Sequence, residues 1–352
     1  MRRILFCMED LCFGGTQRQT VSLALRLDRS RFAPAFLVCT GPTDLDANIL
    51  DAGLPIRYLA SGRQISPVFF ATMPFALVKE KPDLIVPCTA IPNIWARLWG
   101  KALSIPVLGT CRGGGGPTRQ HERFLWRLTA HMVTNTEALR DDLEARGVPR
   151  THVTVIQNGI DTETFRSKDT PSMRQPILLC VARLAKDKDH ITLFKAFELV
   201  AQRVPDARLH VVGDGPEEKN LKDYAAAHPY LPIHFFPGTD NVQPHYAQAR
   251  LLALSSVREG QPNVLLEAMS NSLPVCATAV GGIPALITHE LTGLLSPAHD
   301  SVALADNLIR LLSHPDEGDR IGENARNYVT EHFSFERMVT AHEALFDRFA
   351  RT

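Results

Sequence analysis

The chain has 352 residues, enough for two domains of ordinary size, and its 45% hydrophobic, 22% charged and 7% aromatic make-up is globular rather than disordered. No stretch approaches the roughly 18 apolar residues of a membrane-spanning helix, and the apolar segment behind Arg2-Arg3 is shorter than the ~7–15 residues of a signal peptide. Seven cysteines without C-x-x-C spacing fit neither a disulfide framework nor a zinc site, so a soluble cytoplasmic protein with reduced thiols is expected.

The net charge of zero hides an asymmetry: residues 1–160 carry 19 basic against 13 acidic side chains, and the remainder 19 against 25. A basic half suits an anionic partner such as phosphate, nucleic acid or a lipid surface, and also arises from ordinary scatter in composition.

Short apolar runs alternate with helix-period stretches from one end to the other. Strands are predicted at Ile4–Met8, Ala35–Cys39, Leu84–Val86, Val107–Thr110, Met132–Thr134 and Val153–Ile156, with helical patterns between them at Thr20–Leu27 and Glu137–Arg146. The polar, proline-flanked residues 166–176 read as a linker. The alternation then restarts with Ile177–Val181, a helix presenting Leu193, Phe194, Phe197, Val200 and Ala201, and strands at Leu209–Val212, Ile233–Phe236, Leu251–Leu254 and Val275–Ala277. Two consecutive βαβ series predict two doubly wound parallel sheets, each covered by helices on both faces. Ligands of such sheets bind beyond the carboxyl ends of the strands, and with two domains the cleft between them is the expected site.

Four places carry chemical content. Gly14-Gly15 after the first strand lets backbone amides approach an anion at a helix start, or simply makes a tight turn; neither dinucleotide nor P-loop fingerprint is complete there. Arg183 and Lys188, on a strand-to-helix loop of the second half, can clamp a diphosphate or stand as solvated surface cations. Gly213-Asp214-Gly215-Pro216 ends another strand in a turn that passes the edge of a base or only turns the chain. The most specific stretch runs from Arg258 to Met269. Glu259 ends a loop, Pro262 suits a first helical turn, and Glu267 sits in the apolar run Val-Leu-Leu-Glu-Ala-Met, where a carboxylate is costly without a partner. Two carboxylates so placed can each accept paired hydrogen bonds from vicinal hydroxyls, while amides around Gly260 face anionic oxygen. The alternative is a solvated helix charge at each position.

The spacing of Glu259 and Glu267 resembles the E-x7-E motif of the retaining GT-B glycosyltransferases of family 4. The resemblance extends through Gly14-Gly15, Thr134-Asn135-Thr136-Glu137, Val155–Asp161, Val181-Ala182-Arg183 with Lys188, Gly213–Pro216, Ser256-x-x-Glu259-Gly260 and Gly281-Gly282. It implies an α/β fold of GT-B type, two Rossmann-like domains facing each other across a cleft: residues 1–165 on the acceptor side, 166–332 binding the donor, and a helix at about 333–352 packing back on the first domain. It implies a nucleotide-diphosphate sugar as donor, with uridine the expected base, and no metal or other cofactor. Arg183 and Lys188 would neutralise the diphosphate, and Glu259 would hold the sugar. Glu267 would bind the ribose hydroxyls, Gly213, Gly260, Gln261, Pro262 and Asn263 would line the donor site, and Gly14-Gly15 would let the first domain close on it. Retention by same-face attack, the leaving phosphate helping to take the acceptor proton, needs no covalent nucleophile.

The chain departs from the family pattern in places. Cys111-Arg112 stands where a histidine is usual, so Arg112 is expected to contact the sugar or diphosphate, beside a mobile loop at Gly113–Gly116; His121 is the other candidate for that role, or a plain surface histidine. Gln261 replaces a frequent aromatic, Asp189 the usual glycine after the lysine, and Ala285 a frequent glutamate. On the acceptor side, the aromatic cluster of residues 67–75 and the basic, amphipathic stretch of residues 119–128 suit an anionic membrane or a polyprenyl-diphosphate-linked glycan, or are core and solvated surface respectively. The reading is therefore a retaining hexosyltransferase of surface-polysaccharide assembly, peripheral at the inner membrane face and without a nucleic-acid partner. The alternatives are transfer to a small soluble acceptor and a non-catalytic sugar-nucleotide-binding protein of the same fold.

Overall fold

A strand whose residues are apolar without interruption must be covered on both faces, which a parallel sheet between helix layers provides. The computed structural model describes every residue except 63–68, 113–119, 166–169, 240 and 352. The chain divides into two units, Met1–Gly159 with Phe335–Thr352, and Ile160–Ser334.

The first unit runs β1 (Arg2–Met8), α1 (Gly15–Arg26), β2 (Phe32–Val38), α2 (Asp46–Asp51), β3 (Ile56–Tyr58), α3 (Phe69–Glu80), β4 (Leu84–Pro87), α4 (Ala90–Ala102), β5 (Leu108–Cys111), α5 (Glu122–Leu125), β6 (His131–Thr134), α6 (Glu137–Ala145) and β7 (Val153–Val155). Its parallel strands lie in the order β3-β2-β1-β4 and β5-β6-β7, and a bridge between Ile85 and Val107 joins the two sets. Alternation along β1 shows why both faces are filled: Ile4, Phe6 and Met8 enter one core, Leu5 and Cys7 the other.

The second unit runs β8 (Ile177–Val181), α7 (His190–Arg203), β9 (Arg208–Val212), α8 (Glu218–Ala227), β10 (Ile233–Phe236), α9 (Gln243–Gln248), β11 (Leu251–Leu254), α10 (Asn263–Ser270), β12 (Val275–Thr278), α11 (Ile283–Leu286), β13 (Leu294–Ser296), α12 (Ser301–Ser313) and α13 (Pro315–His332). One six-stranded parallel sheet has the order β10-β9-β8-β11-β12-β13, so the order reverses between β8 and β11. Leu178 and Cys180 of β8 face one core, Leu179 the other.

The last helix, α14 (Phe335–Phe349), belongs to the first unit. Its ring of Phe346 meets Phe6 at 6.3 Å and Phe32 at 5.9 Å, each in edge geometry, and burial of each such side chain contributes roughly 1.5–3 kcal/mol. Arg31 reinforces the seat with ion pairs to Glu343 and Asp347.

Three expectations change. Residues 170–176 are not a free linker: Pro171 is buried, Ser172 N donates to Asp319, and Arg174 donates to the carbonyls of Tyr246 (3.0 Å) and Ala249 (2.8 Å). Those hydrogen bonds give polar side chains a structural use that composition hides. The aromatic cluster splits, with Phe69 and Met73 in the core and Phe70 against Trp95, while Phe75 is 77% exposed. The basic stretch contains a buried ion pair, Glu122 with the fully buried Arg97 of α4 (2.6 Å), beside the exposed Phe124. Pro67, Val68, Gly113–Gly116, Arg119 and the opening of the expected linker lie outside the described residues. Among the described residues no helix is long and apolar enough to cross a membrane.

Candidate active site

In a doubly wound sheet the two loops that leave the strands at the reversal of order diverge, and the crevice between them receives ligands. In the second unit these are the loops after β8 and β11, and the candidate residues gather there. Lys188, in a 3-10 turn just before α7, donates from Nζ to Oε1 of Glu259 at 2.6 Å; their side chains are only 19% and 9% exposed. Ser256 Oγ donates to the same oxygen at 2.7 Å. A carboxylate this shielded requires a partner, and here it has a cation and a hydroxyl.

The backbone holds the pair in place. Ser255 Oγ bridges the carbonyls of Lys188 (3.0 Å) and Asp189 (2.9 Å), and Val257 N donates to Asp187 O at 2.9 Å, so the two loops are laced together. Asp189 adopts φ +45°, the left-handed conformation that explains why glycine is usual there. Its carboxylate caps α7 by accepting from Thr192 N (3.4 Å), accepts from Thr192 Oγ1 (2.7 Å) as well, and lies 2.8 Å from His299 Nδ1. On the far side, Gly281 has φ +55°, and a Cβ there would stand 1.9 Å from the Glu259 carbonyl oxygen. This glycine is required so that its loop can lie against Glu259.

Glu267 falls on the fifth residue of α10 and is 7% exposed, which excludes a solvated helix charge. Tyr246 of α9, itself fully buried, donates its hydroxyl to Glu267 Oε2 at 2.8 Å. Gly260, Gln261 and Pro262 are buried and Asn263 is half-buried at the start of α10, with Pro262 at the cap position. Gly213 is explained by packing: at φ +150°, its Cβ would stand 2.0 Å from the Ala182 carbonyl.

Other candidates have other neighbours. Arg183 is 67% exposed, with its guanidinium 3.5 Å from Asp187 Oδ1. Gly14, Gly15 and Arg112 belong to the first unit. Gly14 has φ −162°, extended backbone open to any residue, and the atoms nearest to a Cβ there belong to the side chain of Gln17, which would have to swing aside. Arg112 follows β5, with Asn158 Oδ1 and His342 Nε2 each 3.4 Å away, and burial depresses its pKa. His121 lies 3.4 Å from Glu122. Burial opposes ionisation of Glu122, but His121 and Arg97 outweigh it and hold its pKa at about 2.

Sequence reasoning missed Ser255, whose bonds to the Lys188 and Asp189 carbonyls join loops 66 residues or more apart in sequence, and Tyr246, which is 21 residues from Glu267 in a helix of six residues. Ser256 was visible through its spacing from Glu259.

With this geometry in hand, comparison with known proteins is informative. The model for Glycosyltransferase Family 4 matches residues 13–164, and that for Glycosyl transferases group 1 matches residues 161–328. An N-acetyl-alpha-D-glucosaminyl L-malate synthase of Bacillus anthracis is 31% identical over 56% of this chain and 54% of its own length. The amylovoran biosynthesis glycosyltransferase AmsK of Erwinia amylovora is 31% identical over 54% and 50%. The chain thus spans about half the length of the curated relatives it matches. Anabaena Alr3699/HepE, solved in complex with UDP-glucose, superimposes with a TM-score of 0.86 over 99% of this chain and 100% of its own, at 18% identity. Two family models that between them run from residue 13 to residue 328, on two Rossmann-like units, establish that the chain belongs to the retaining GT-B glycosyltransferases of family 4.

Proposed function

We propose that the protein transfers a hexose or N-acetylhexosamine, with retention, from a nucleotide-diphosphate sugar, UDP being the carrier, to a glycan or lipid-linked acceptor in surface-polysaccharide assembly. The observation that carries this reading is the Lys188–Glu259 pair at the reversal of strand order in the second unit, with Glu267 buried on the following helix.

Transfer breaks the bond between the sugar's anomeric carbon and a β-phosphate oxygen, and negative charge develops on the departing nucleoside diphosphate. Lys188 has three N–H donors, one of them on Glu259, so the same ammonium can serve the diphosphate while Glu259 holds sugar hydroxyls. Arg183, exposed on the same loop, adds its forked guanidinium to that charge. The acceptor oxygen attacks from the face that the diphosphate leaves, its proton passes to a phosphate oxygen, and configuration is kept without a covalent enzyme intermediate. Glu267 accepts hydrogen bonds from the ribose. Arg112 and Gly14-Gly15 are assigned to the donor by family resemblance; for Gly14 the support is that neither backbone angle nor packing calls for glycine. No metal is required in this scheme.

The polysaccharide assignment draws on the amylovoran relative, and UDP on the ligand of the Anabaena structure. Exposed Phe75 and Phe124, with Arg123 and Arg127 close by in sequence, support peripheral contact with an anionic membrane. The name of the Bacillus relative favours a second reading, transfer to a small soluble acceptor.

The test is a thermal-shift screen in EDTA against UDP, GDP, ADP, TDP and their sugar conjugates. A ligand that binds only the native state stabilises it by about 2.7 kcal/mol at a hundredfold excess over Kd. A clear rise with one diphosphate supports the reading and names the base; a cooperative melt unmoved by any of them overturns it.

A further inference from the structure

Tyr246 is fully buried, yet it is a tyrosine where phenylalanine would fill the same apolar space. A buried phenol needs a hydrogen-bond partner. This one donates to Glu267 Oε2 at 2.8 Å and lies 3.4 Å from the carbonyl oxygen of Val264 in the first turn of α10.

The frame around the hydroxyl is fixed. Gln243, at the start of α9, exchanges two amide hydrogen bonds with Asn271 at the end of α10 (3.0 and 3.3 Å), and Asn271 also donates to the Glu267 carbonyl at 2.9 Å. Arg174 ties down the carbonyls of Tyr246 and Ala249, and the ring of Phe165 stands edge-on to Tyr246 at 6.0 Å. The phenol therefore reaches Glu267 from a helix tied to the end of α10 through Gln243 and Asn271.

A glutamate side chain turns about three bonds. To accept hydrogen bonds from two adjacent hydroxyls at once its carboxylate plane must be set beforehand, and a donor on one oxygen sets it while taking one of about four lone-pair positions. We infer that Tyr246 is a positioning residue: its hydroxyl, held by α9 at 2.8 Å from Glu267, fixes the carboxylate in the orientation that reads the 2′- and 3′-hydroxyls of the donor's ribose. The inference rests on the assignment of Glu267 to the ribose made above.

The consequence is selective. Loss of the phenol weakens recognition of ribose hydroxyls and leaves base and diphosphate contacts intact. The experiment measures calorimetric affinities of UDP and GDP, and of their 2′-deoxy counterparts, for the wild type, Tyr246→Phe, Glu267→Gln and Phe165→Leu. The readout is the ratio of ribo to deoxy affinity, which general destabilisation does not move. The wild type is expected to prefer the ribonucleotide by about tenfold or more, and Glu267→Gln to lose that preference. Tyr246→Phe is expected to reduce it about threefold to tenfold with deoxy affinity unchanged. Phe165→Leu, which loosens the packing under the ring without touching the hydroxyl, should melt earlier and keep the wild-type ratio.

A wild-type ratio in Tyr246→Phe, with the ratio lost in Glu267→Gln, overturns the positioning role and leaves the ribose assignment standing. An equal fall in Tyr246→Phe and Phe165→Leu also overturns it, because packing rather than the hydroxyl would then be at work. Indifference of the wild type to the 2′-hydroxyl, or a Glu267→Gln ratio equal to the wild type's, removes the ribose assignment and the inference with it.

Discussion

In the first unit the loops leaving β1 and β4, the strands where its order reverses, are tied by Glu9: its N–H donates to Thr89 Oγ1 (2.8 Å) and its carboxylate accepts from Ile91 N (2.7 Å). In the second unit the corresponding loops are tied by two side chains of opposite charge, Lys188 and Glu259, with a second carboxylate buried on the next helix. The first unit does bury charge, but as the Arg97–Glu122 pair, with Arg97 NH2 also donating to Asn93 Oδ1 at 2.7 Å. The same topology thus carries a buried ion pair behind the loops in one half and, in the other, an ion pair between the loops themselves, the pair to which the proposed function gives its chemistry. Strand order offers a crevice, and the loop residues decide what occupies it.

The largest expected effect breaks the structural side of this contrast. Arg97→Met takes the buried guanidinium from Glu122 and leaves it His121, and loss of one partner of a buried pair costs about 3–5 kcal/mol; urea unfolding of the variant should show it, while Arg97→Met with Glu122→Leu recovers most of the loss. Equal destabilisation in both variants would show that the pair itself is not the source.

Next is Lys188→Ala, expected to lower kcat/KM for sugar transfer about 10²–10³-fold, the scale of losing one charge-stabilising donor. A rate within threefold of wild type would return Lys188 to the role of a tether for Glu259. Gly281→Ala should damage both stability and rate, since its Cβ would stand 1.9 Å from the Glu259 carbonyl and the backbone is left-handed there. A loss of more than about 1 kcal/mol is expected, and an unchanged melting temperature would contradict it.

Acid should act on both halves. Burial lowers the pKa of His131 and His190 to about 4, and that of His342 to about 3, against 6.5 when free. The folded state therefore binds fewer protons than the unfolded chain between pH 6.5 and 4, and stability falls as pH drops through that window. Glu122, held at about 2, adds a further loss below pH 4.5, since its stabilisation requires the carboxylate. A melting temperature flat from pH 7 to 4.5 would refute the histidine contribution. The smallest effect is on the surface: Phe75→Ser should leave stability within about 0.5 kcal/mol yet weaken cosedimentation with anionic vesicles, and undiminished vesicle binding would remove Phe75 from the membrane contact.

How much of this was legible follows from the residues. Every run of four or more buried apolar residues, such as Leu251–Leu254, announced its strand, because a strand covered on both faces has no alternation to obscure it. The edge strands β3 and β13 were missed because neither presents a β-branched apolar run: β3 is the half-buried Ile-Arg-Tyr and β13 is Leu-Leu-Ser, whereas β7, equally short, was legible as Val-Thr-Val before Ile156. Glu259 and Glu267 were visible because their spacing is local in sequence. Tyr246 was not, since it meets Glu267 only when α9 packs beside α10, a relation no window of sequence contains. Asp189 was conspicuous as a departure from glycine, but the cap that sustains its left-handed backbone appears only in three dimensions.

The central claim is that the charged loops of the second unit hold the nucleoside diphosphate. Hydrogen–deuterium exchange with and without the diphosphate selected by the thermal screen tests it most directly. Protection concentrated in residues 182–190 and 256–267 is the predicted result. Protection confined to the first unit, with those two loops exchanging as in the free protein, would contradict the account.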